Sequence, residues 1–210
     1  MLLQQDNTFQ AVIIDTPVFS GSIHSPYKQP VGRRLARGGL DLAYGMKDVH
    51  SVDPFVKSVT STSTSTSTAA AASSPASIVI TVGGLGSTGS ITAVVGSLGF
   101  EVLGNCAAAK DGDSNSTADN DARGKQCDGP CLCWTSVPIA SATTTTVTLN
   151  KGIPDAATAV RYLWYIAPYK TVPFQAPIYA SGAPPLPGTN ASMSNPAWDL
   201  LPLGPFVLRL

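Results

Sequence analysis

FQAVIIDTPVFSGSIHSPYKQPVGRRLARGGLDLAYG, residues 9–45, is the stretch that decides the fold of this chain. It begins with AVIID (11–15), a continuous apolar run closed by an acid, which predicts a buried strand of a parallel sheet. From Pro26 to about Tyr44, apolar and small residues recur at helical spacing with basic residues on the other faces, which predicts an amphipathic helix. Ser25 is its expected N-cap. The apolar set is Val31, Leu35, Leu40 and Ala43, and the basic set is Lys28, Arg33, Arg34 and Arg37.

After Gly45 the pattern changes to short β-branched or alternating runs separated by turn residues. This pattern is typical of an antiparallel β-sandwich. The expected fold class is therefore α+β, a strand and helix followed by a mainly antiparallel β-sandwich domain. The predicted strands are Phe55–Val59, Ile78–Val82, Ile91–Val95, Phe100–Leu103, Trp134–Ile139, Thr144–Leu149 and Ala159–Tyr165.

Three parts are expected along the chain: the strand and helix in residues 1–50, the β-sandwich domain in 51–180, and a Pro-rich tail in 181–210. The tail is predicted to run extended over the surface, because proline favours that conformation. The β domain carries a Ser/Thr/Ala-rich insertion at 58–75, whose low complexity provides no means of forming a core. Its second insertion is an acidic loop flanked by cysteines at 106–133.

Composition excludes several classes of partner. The chain has 210 residues, of which 43% are hydrophobic and 12% charged, with 13 basic residues balanced by 13 acidic ones. No basic stripe predicts nucleic-acid binding, and no apolar segment approaches the ~20 residues of a membrane span. The N-terminus MLLQQDNTFQ has no basic region followed by an apolar stretch, so no signal peptide is expected within this chain.

Cysteines and glycosylation sequons nevertheless suggest export. The cysteines are Cys106, Cys127, Cys131 and Cys133, and the sequons begin at Asn115 and Asn190. The cysteine spacing lacks the C-x2-C pairs and histidines typical of zinc sites, so disulfides in any of three connectivities fit better. We therefore expect a secreted or lysosomal protein whose signal peptide lies upstream of this sequence.

Two further motifs have competing interpretations. Gly84–Gly89 is formally G-x-G-x-x-G after a strand, as in dinucleotide-binding proteins. However, residues 90–98 are rich in β-branched residues and contain a glycine, which does not suit the helix that the motif requires. This favours a glycine-rich hairpin instead. Residues 111–121 begin like a calcium loop but lack its sixth-position glycine and closing glutamate. A solvated, glycosylated loop is the simpler interpretation, and no metal or cofactor is expected.

The chain contains only two histidines. His50 lies in a polar connection and receives no role. His24 follows the predicted strand and precedes the helix, which is where a hydrolase built on a parallel sheet presents its general base. A lone loop histidine is, taken by itself, more often structural than catalytic.

Two separated blocks, in the right order, resemble the sialate O-acetylesterases, a family of SGNH-type carbohydrate esterases. The first block consists of Ala11–Asp15, Gly21–His24, Lys28–Gln29, Arg34–Ala36 and Leu42–Gly45, and is similar to the family's closing catalytic block. The second consists of Phe100–Val102, Trp134, Thr146–Leu149, Val160–Trp164, Pro177–Tyr179 and Leu186–Pro187, and is similar to the family's C-terminal β domain. The resemblance implies that residues 1–50 are the end of an SGNH-type α/β hydrolase domain.

The resemblance implies that His24 is the catalytic base that takes the proton from a serine hydroxyl. Asp15 is the only nearby acid. The wider class places the orienting acid three residues before the histidine, where this chain has Gly21. Asp15 therefore orients His24 only if the loop folds back, and otherwise a backbone carbonyl fixes the tautomer. Ser25 stands where the family usually has proline.

The family's Gly-Gln-Ser-Asn nucleophile block does not occur in this sequence. The expected function is therefore the C-terminal part of an esterase that removes acetyl groups from O-acetylated sugars, its partner being the missing N-terminal catalytic part. The chain alone is expected to be inactive, and no cofactor is implied.

The alternative hypothesis is a non-catalytic β-sandwich that binds glycan or another domain. Aromatic side chains that stack on sugars would carry this function. Alternation predicts that about half of the candidates face the core. They are Trp134, Tyr162, Trp164 and Tyr165.

Overall fold

The computed structural model describes residues 7–18, 24–63, 75–85, 89–105, 132–164, 173–181, 186 and 199–210. Within these ranges the chain forms mostly antiparallel sheets with one α-helix, which confirms the α+β class. The helices are α1 (Lys28–Tyr44) and a 3-10 helix (Lys47–Val49). The strands are β1 (Phe55–Ser63), β2 (Pro75–Gly83), β3 (Ile91–Ala93), β4 (Phe100–Asn105), β5 (Leu132–Val137), β6 (Ser141–Ala142), β7 (Thr146–Leu149), β8 (Ala159–Tyr162), β9 (Ile178–Ala180), β10 (Leu201–Pro202) and β11 (Phe206–Arg209).

The described strands form three sheets with the orders β1-β2-β7-β6, β10-β9-β3 and β11-β8-β4-β5. Every strand pair in them is antiparallel. One apolar core joins all three sheets, because each sheet contributes buried apolar side chains to it. Its fully buried members include Ile78 and Ile80 of β2, Phe100 of β4, Tyr162 of β8 and Ile178 of β9.

All seven predicted β runs overlap a strand, but the first insertion begins later than predicted. The low-complexity segment was expected to leave the fold at residue 58, yet β1 continues to Ser63 in register with β2. Threonine and serine sustain this ladder because β2 pairs with it up to Ser63, with register shifts after Val56 and Thr62, and because β-branched threonine suits a strand. The Thr62 and Ser77 hydroxyls are also hydrogen-bonded across the pair at 2.7 Å. Residues 64–74 lie outside the described ranges.

The end of the chain is also more deeply integrated than predicted. β10 pairs with β9 and β11 pairs with β8, and Leu201 and Leu203 are buried in the core. The prediction of a tail running over the surface is therefore wrong for residues 201–209. Both strands lie at sheet edges, where Pro202 is tolerated because no neighbour needs an N–H from that side.

The AVIID run does not form the predicted strand. Residues 11–13 belong to no strand, and Ile14 and Asp15 form a turn. The Val12 N–H donates to the Asp53 carboxylate at 2.7 Å rather than to a neighbouring strand. A parallel strand requires a partner strand beside it, and the described residues provide none for this run.

The predicted helix is confirmed as α1, which ends at Gly45 with φ 67°, the left-handed conformation that glycine tolerates best. Its start differs from the prediction. The N-cap is Tyr27, and no side chain caps the helix. The Ser25 hydroxyl instead accepts the Tyr27 N–H at 3.2 Å, which forms a local turn before the helix.

The glycine-rich segment after β2 is a connection between sheets. No helix follows it in the described residues, because β3 begins at Ile91 and pairs with β9. The dinucleotide interpretation is therefore wrong, and so is the hairpin, since β2 pairs with β1 and β7. Gly84 has φ 71°, and a Cβ there would lie 2.8 Å from the Asp53 carbonyl oxygen. Residues 86–88 lie outside the described ranges.

Candidate functional site

Asp15 forms the centre of a buried polar network. Its carboxylate is fully buried and accepts two hydrogen bonds from the Arg34 guanidinium, Nη1 to Oδ1 at 2.7 Å and Nη2 to Oδ2 at 2.8 Å. The Tyr179 hydroxyl donates a third bond to Oδ2 at 3.1 Å. Such a bidentate pair with a further donor fixes the carboxylate in place.

Arg34 links Asp15 to the rest of the fold. Its Nε donates to the Leu200 carbonyl at 2.9 Å, and its Nη1 also donates to the Val12 carbonyl at 2.8 Å. The guanidinium therefore joins helix α1, the segment around Val12 and the chain end before β10. A buried arginine needs such partners, because an unpaired buried charge is strongly unfavourable.

The same side of α1 carries a second ion-pair cluster. Asp199 accepts hydrogen bonds from Arg33 at 3.1 and 2.5 Å and from Arg37 at 2.8 Å. Arg37 also donates to the Val49 carbonyl. Arg34 and Arg37 are buried, so the prediction that the basic residues occupy the outer faces of the helix is wrong for these two.

Leucines and alanines of α1 face outward instead. Leu35 is 41% exposed and Leu42 is 44% exposed, and Ala36 and Ala43 are exposed as well. Residues 35, 36, 42 and 43 share one helix face because, at about 100° per residue, they fall within an arc of about 120°. We call this set the outer α1 face.

Two ionisable groups beside Asp15 have strongly shifted pKa values. Burial raises the pKa of Asp53 to about 6, although the Val12 N–H and the Arg34 charge act to lower it. Burial and the neighbouring Asp15 carboxylate raise the pKa of Tyr179. The Tyr179 hydroxyl therefore stays protonated. It donates a hydrogen bond to Asp15 and accepts one from the Ala176 N–H at 3.0 Å.

His24 is exposed and directly follows a segment that lies outside the described ranges. The next residue, Ser25, donates its hydroxyl hydrogen to the Pro17 carbonyl at 3.0 Å. This bond fixes the distance between the two ends of the loop that carries His24. Residues 19–23, including Gly21, lie outside the described ranges.

The structure brings the His24 segment and Asp15 to the same region but gives Asp15 other partners. Both of its carboxylate oxygens bind Arg34 and Tyr179, and its carbonyl accepts the Phe174 N–H at 2.9 Å. The ring of Phe174 in turn contacts that of Tyr27, with the centroids 6.2 Å apart. The catalytic role of His24, and the group that orients it, stay predictions.

An open cleft of about 730 Å³ adjoins this network. Ala176 and Tyr179 belong both to its lining and to the hydrogen-bond chain that ends at Asp15. Phe174 lines the cleft and also contacts Tyr27. The cleft is therefore joined to the segment after His24 through the Phe174–Tyr27 ring pair, and to Asp15 through the hydrogen-bond chain.

The structure describes only one of the predicted disulfide and glycosylation residues. Cys133 is a free cysteine on β5, while Cys106, Cys127, Cys131, Asn115 and Asn190 lie outside the described ranges, as does the acidic loop 111–121. No three described His, Cys, Asp or Glu residues lie together as a metal site would require. No helix in the described ranges is long and apolar enough to cross a membrane.

The aromatic candidates for sugar stacking differ in exposure. Tyr162 is fully buried in the core, so it offers no surface to a sugar. The Arg161 guanidinium covers the Trp134 ring at 4.3 Å and also pairs with Glu101 at 2.8 Å. Trp164 is exposed, and Tyr165 lies outside the described ranges.

Sequence reasoning missed the polar network and the role of His50. Arg34, Asp53 and Asp199 were not recognised as buried partners, although three arginines on one helix of a chain with few charges were a signal. His50 is buried and its Nε2 donates to the Gly84 carbonyl at 2.9 Å, so it ties the turn after α1 to the end of β2.

No protein-family model matches the chain, and no curated protein matches it. Among solved structures, the chain is similar to a carbohydrate acetylesterase from Xanthomonas citri, with a TM-score of 0.53 and 18% sequence identity. The match covers 95% of this chain and 32% of that one, so this chain spans about a third of the length of that enzyme. At this identity the similarity shows a shared fold.

Proposed function

We propose that this chain is the C-terminal part of a carbohydrate O-acetylesterase that acts on sialate-type O-acetyl sugars. His24 is the general base of a Ser-His mechanism, and a part of the protein outside this sequence supplies the serine. The shared fold with a carbohydrate acetylesterase supports this proposal. The exposed position of His24, directly before the Ser25 hydroxyl that donates to the Pro17 carbonyl, also supports it.

The observation that carries the proposal is the orientation of α1. A surface helix normally turns its apolar side toward the core, yet α1 turns Arg34 and Arg37 inward and leaves Leu35 and Leu42 exposed. The adjacent AVIID run is also half uncovered, since Ile13 is exposed and the described residues place no strand beside it. We propose that the serine-bearing α/β part covers the outer α1 face and pairs with the AVIID run.

In the proposed mechanism His24 accepts the serine proton during attack on the acetyl carbonyl, and then returns it to the departing sugar oxygen. Asp15 acts as a positioning residue, since its carboxylate holds Arg34 and Tyr179 while its carbonyl holds Phe174. The backbone at Asp15 is thereby held in place. Either Asp15 or a backbone carbonyl orients the imidazole.

An aryl acetate assay tests the proposal. The isolated chain should show no turnover above a His24→Ala control, because a base without a nucleophile and oxyanion hole stabilises no tetrahedral intermediate. A longer form that contains the serine block should turn over, and His24→Ala should reduce its kcat/KM by ~10³-fold or more. Turnover by the isolated chain that disappears in His24→Ala would contradict the proposal. A 9-O-acetyl sialoside used as substrate in the longer form tests the sialate specificity.

A further inference from the structure

We propose that the cleft beside Tyr179 binds an uncharged sugar unit, adjacent to the sugar that carries the acetyl ester. The link to the ester rests on the proposed function, whereas sugar binding by the cleft does not. The cleft lies between the end of β3, the strand β9 and residues 174–177. No residue of this cleft was singled out by the sequence as a ligand contact.

The lining has the mixed chemistry that a pyranose ring requires. Val94 and Leu98 present exposed aliphatic surface, and Phe174 adds an aromatic ring. Thr92 and Ser181 form a pair of exposed hydroxyls, 2.7 Å apart, on the same cleft. A sugar has C–H surfaces that pack on apolar groups and hydroxyls at its rim that hydrogen-bond, so both kinds of group are used.

The backbone of Phe174 is held in an unusual conformation. Its φ is 60°, a region that bulky residues seldom occupy. Its N–H bond to the Asp15 carbonyl and its ring contact with Tyr27 maintain this conformation. Strained residues of this kind cluster at ligand sites, and here the strain fixes an aromatic ring at the edge of the cleft.

The charge of the lining selects the class of sugar. None of the described lining residues carries a charge at neutral pH, and the single acidic hydroxyl, that of Tyr179, is bonded to Asp15. A sialate carboxylate would find no cation among these groups. The cleft therefore suits a neutral pyranose, such as the unit to which an acidic, acetylated sugar is attached.

The position of the cleft relates it to the candidate base. Phe174 contacts Tyr27, three residues after His24. A sugar on the Phe174 side would thus lie beside the segment that presents the imidazole. This arrangement extends the binding surface beyond the acetylated unit, and remote contacts of this kind provide binding energy that orients the reacting bond.

Nuclear magnetic resonance titration of the ¹⁵N-labelled chain tests the inference. The probes are methyl β-D-galactopyranoside, methyl α-D-glucopyranoside and free N-acetylneuraminic acid. We expect saturable shifts of the Thr92, Leu98 and Gln175 amides with at least one neutral glycoside, at a Kd in the millimolar range. The acid should shift them less at every concentration. Absence of such shifts with both neutral glycosides, or stronger shifts with the acid, would overturn the inference.

Two matched variants separate the cleft from its surroundings. Val94 lines the cleft and Val95 does not, although both are exposed, at 57% and 60%. Val94→Asp should weaken binding by about tenfold or more, and Val95→Asp should leave it unchanged. Equal effects of the two variants, or cleft shifts that depend on protein concentration alone and so reveal a second copy as occupant, would overturn the inference. The titration measures no hydrolysis, so its failure is distinguishable from failure of the esterase proposal.

Discussion

Asp15 and Arg34 are both buried, and Arg34 joins three segments of the chain: α1, the segment from Val12 to Asp15 and the residues before β10. Removal of one member of such a pair leaves an uncompensated buried charge, which is far more unfavourable than loss of a surface pair. At the scale of single residues, this network holds the helix against the β-sheets. It also fixes the start of the loop that leads to His24.

Asp15→Asn should lower the free energy of unfolding by ~3–5 kcal/mol, because Arg34 then stays buried without its counter-charge. Urea denaturation measures the change. Asp48→Asn, at an exposed position of the 3-10 helix, is the control and should change stability by less than ~0.5 kcal/mol. Equal effects of the two variants would contradict a structural role for Asp15.

The raised pKa of Asp53 leads us to expect a specific pH dependence of the free energy of unfolding. Its pKa in the folded protein is about 6, raised mainly by burial from 3.8. The folded state therefore holds this proton more tightly than the unfolded state does. The resulting stabilisation is present below pH 3.8 and is lost as the pH rises through about 6, at a total of at most ~3 kcal/mol.

The variant Asp53→Asn isolates this contribution, because its amide oxygen still accepts the Val12 N–H. Urea denaturation across pH 4 to 8 measures the free energy of unfolding of both proteins. The contributions of all other titrating groups cancel in the difference between them. The wild type should lose stability relative to the variant as the pH rises through this range. A difference that is constant with pH would show that Asp53 keeps an ordinary pKa.

At the scale of the element, α1 contains two adjacent glycines with different surroundings. A Cβ on Gly38 would collide with the Phe9 ring, whereas a Cβ on Gly39 would have no neighbour within 4 Å. Gly39→Ala should therefore raise stability by about 0.5–1 kcal/mol through helix propensity. Gly38→Ala should gain nothing or lose stability, because the Phe9 ring is displaced.

Thermal unfolding of the two alanine variants compares these effects directly. The helix is common to both variants, so the difference between their midpoints reports the contact with Phe9. Equal stabilisation by the two substitutions would mean that Phe9 does not pack on α1.

The elements themselves follow from local patterns, while their partners do not. Runs of β-branched and apolar residues located β2, β4 and β8, and each of these strands places apolar side chains in the core. Helical spacing located α1 within two residues of its start, but it assigned Arg34 and Arg37 to the outside. The rule that charges face solvent fails when acids distant in the sequence, here Asp15 and Asp199, enter the same interface.

For the candidate site, too, local patterns indicated single residues but not their distant partners. His24 and Asp15 were predicted from a resemblance in the order of short motifs, and the catalytic role of His24 stays a prediction. Asp53 and Tyr179 reach the network across 41 and 164 residues, and no period in the sequence connects such distances. The joining of the chain end to β8 and β9 was hidden for the same reason, since prolines there suggested a surface segment.

At the scale of the whole molecule, the outer α1 face is the surface that the described residues leave unexplained. Leu35→Lys combined with Leu42→Lys should change the stability of the isolated chain by less than ~1 kcal/mol, because both side chains are exposed. In the complete esterase that we propose, the same pair should lower activity and soluble yield, because it buries two unpaired charges.

Val207→Lys with Leu208→Lys, on exposed residues of β11, is the matched control for that pair. The control should leave the turnover of the proposed complete protein unchanged. Denaturation of the isolated chain and turnover of the complete protein are the two measurements. Loss of activity in both double variants would contradict the proposal that the outer α1 face is covered by the serine-bearing part.

The size of the native protein tests the central claim most directly. An antibody raised against residues 150–165 would detect it by immunoblot, and mapping of the 5′ end of the transcript would define its start. The account predicts a species much larger than 21.6 kDa, whose upstream sequence encodes a nucleophilic serine block. A single native species of 21.6 kDa would leave His24 without a serine and would contradict the esterase assignment.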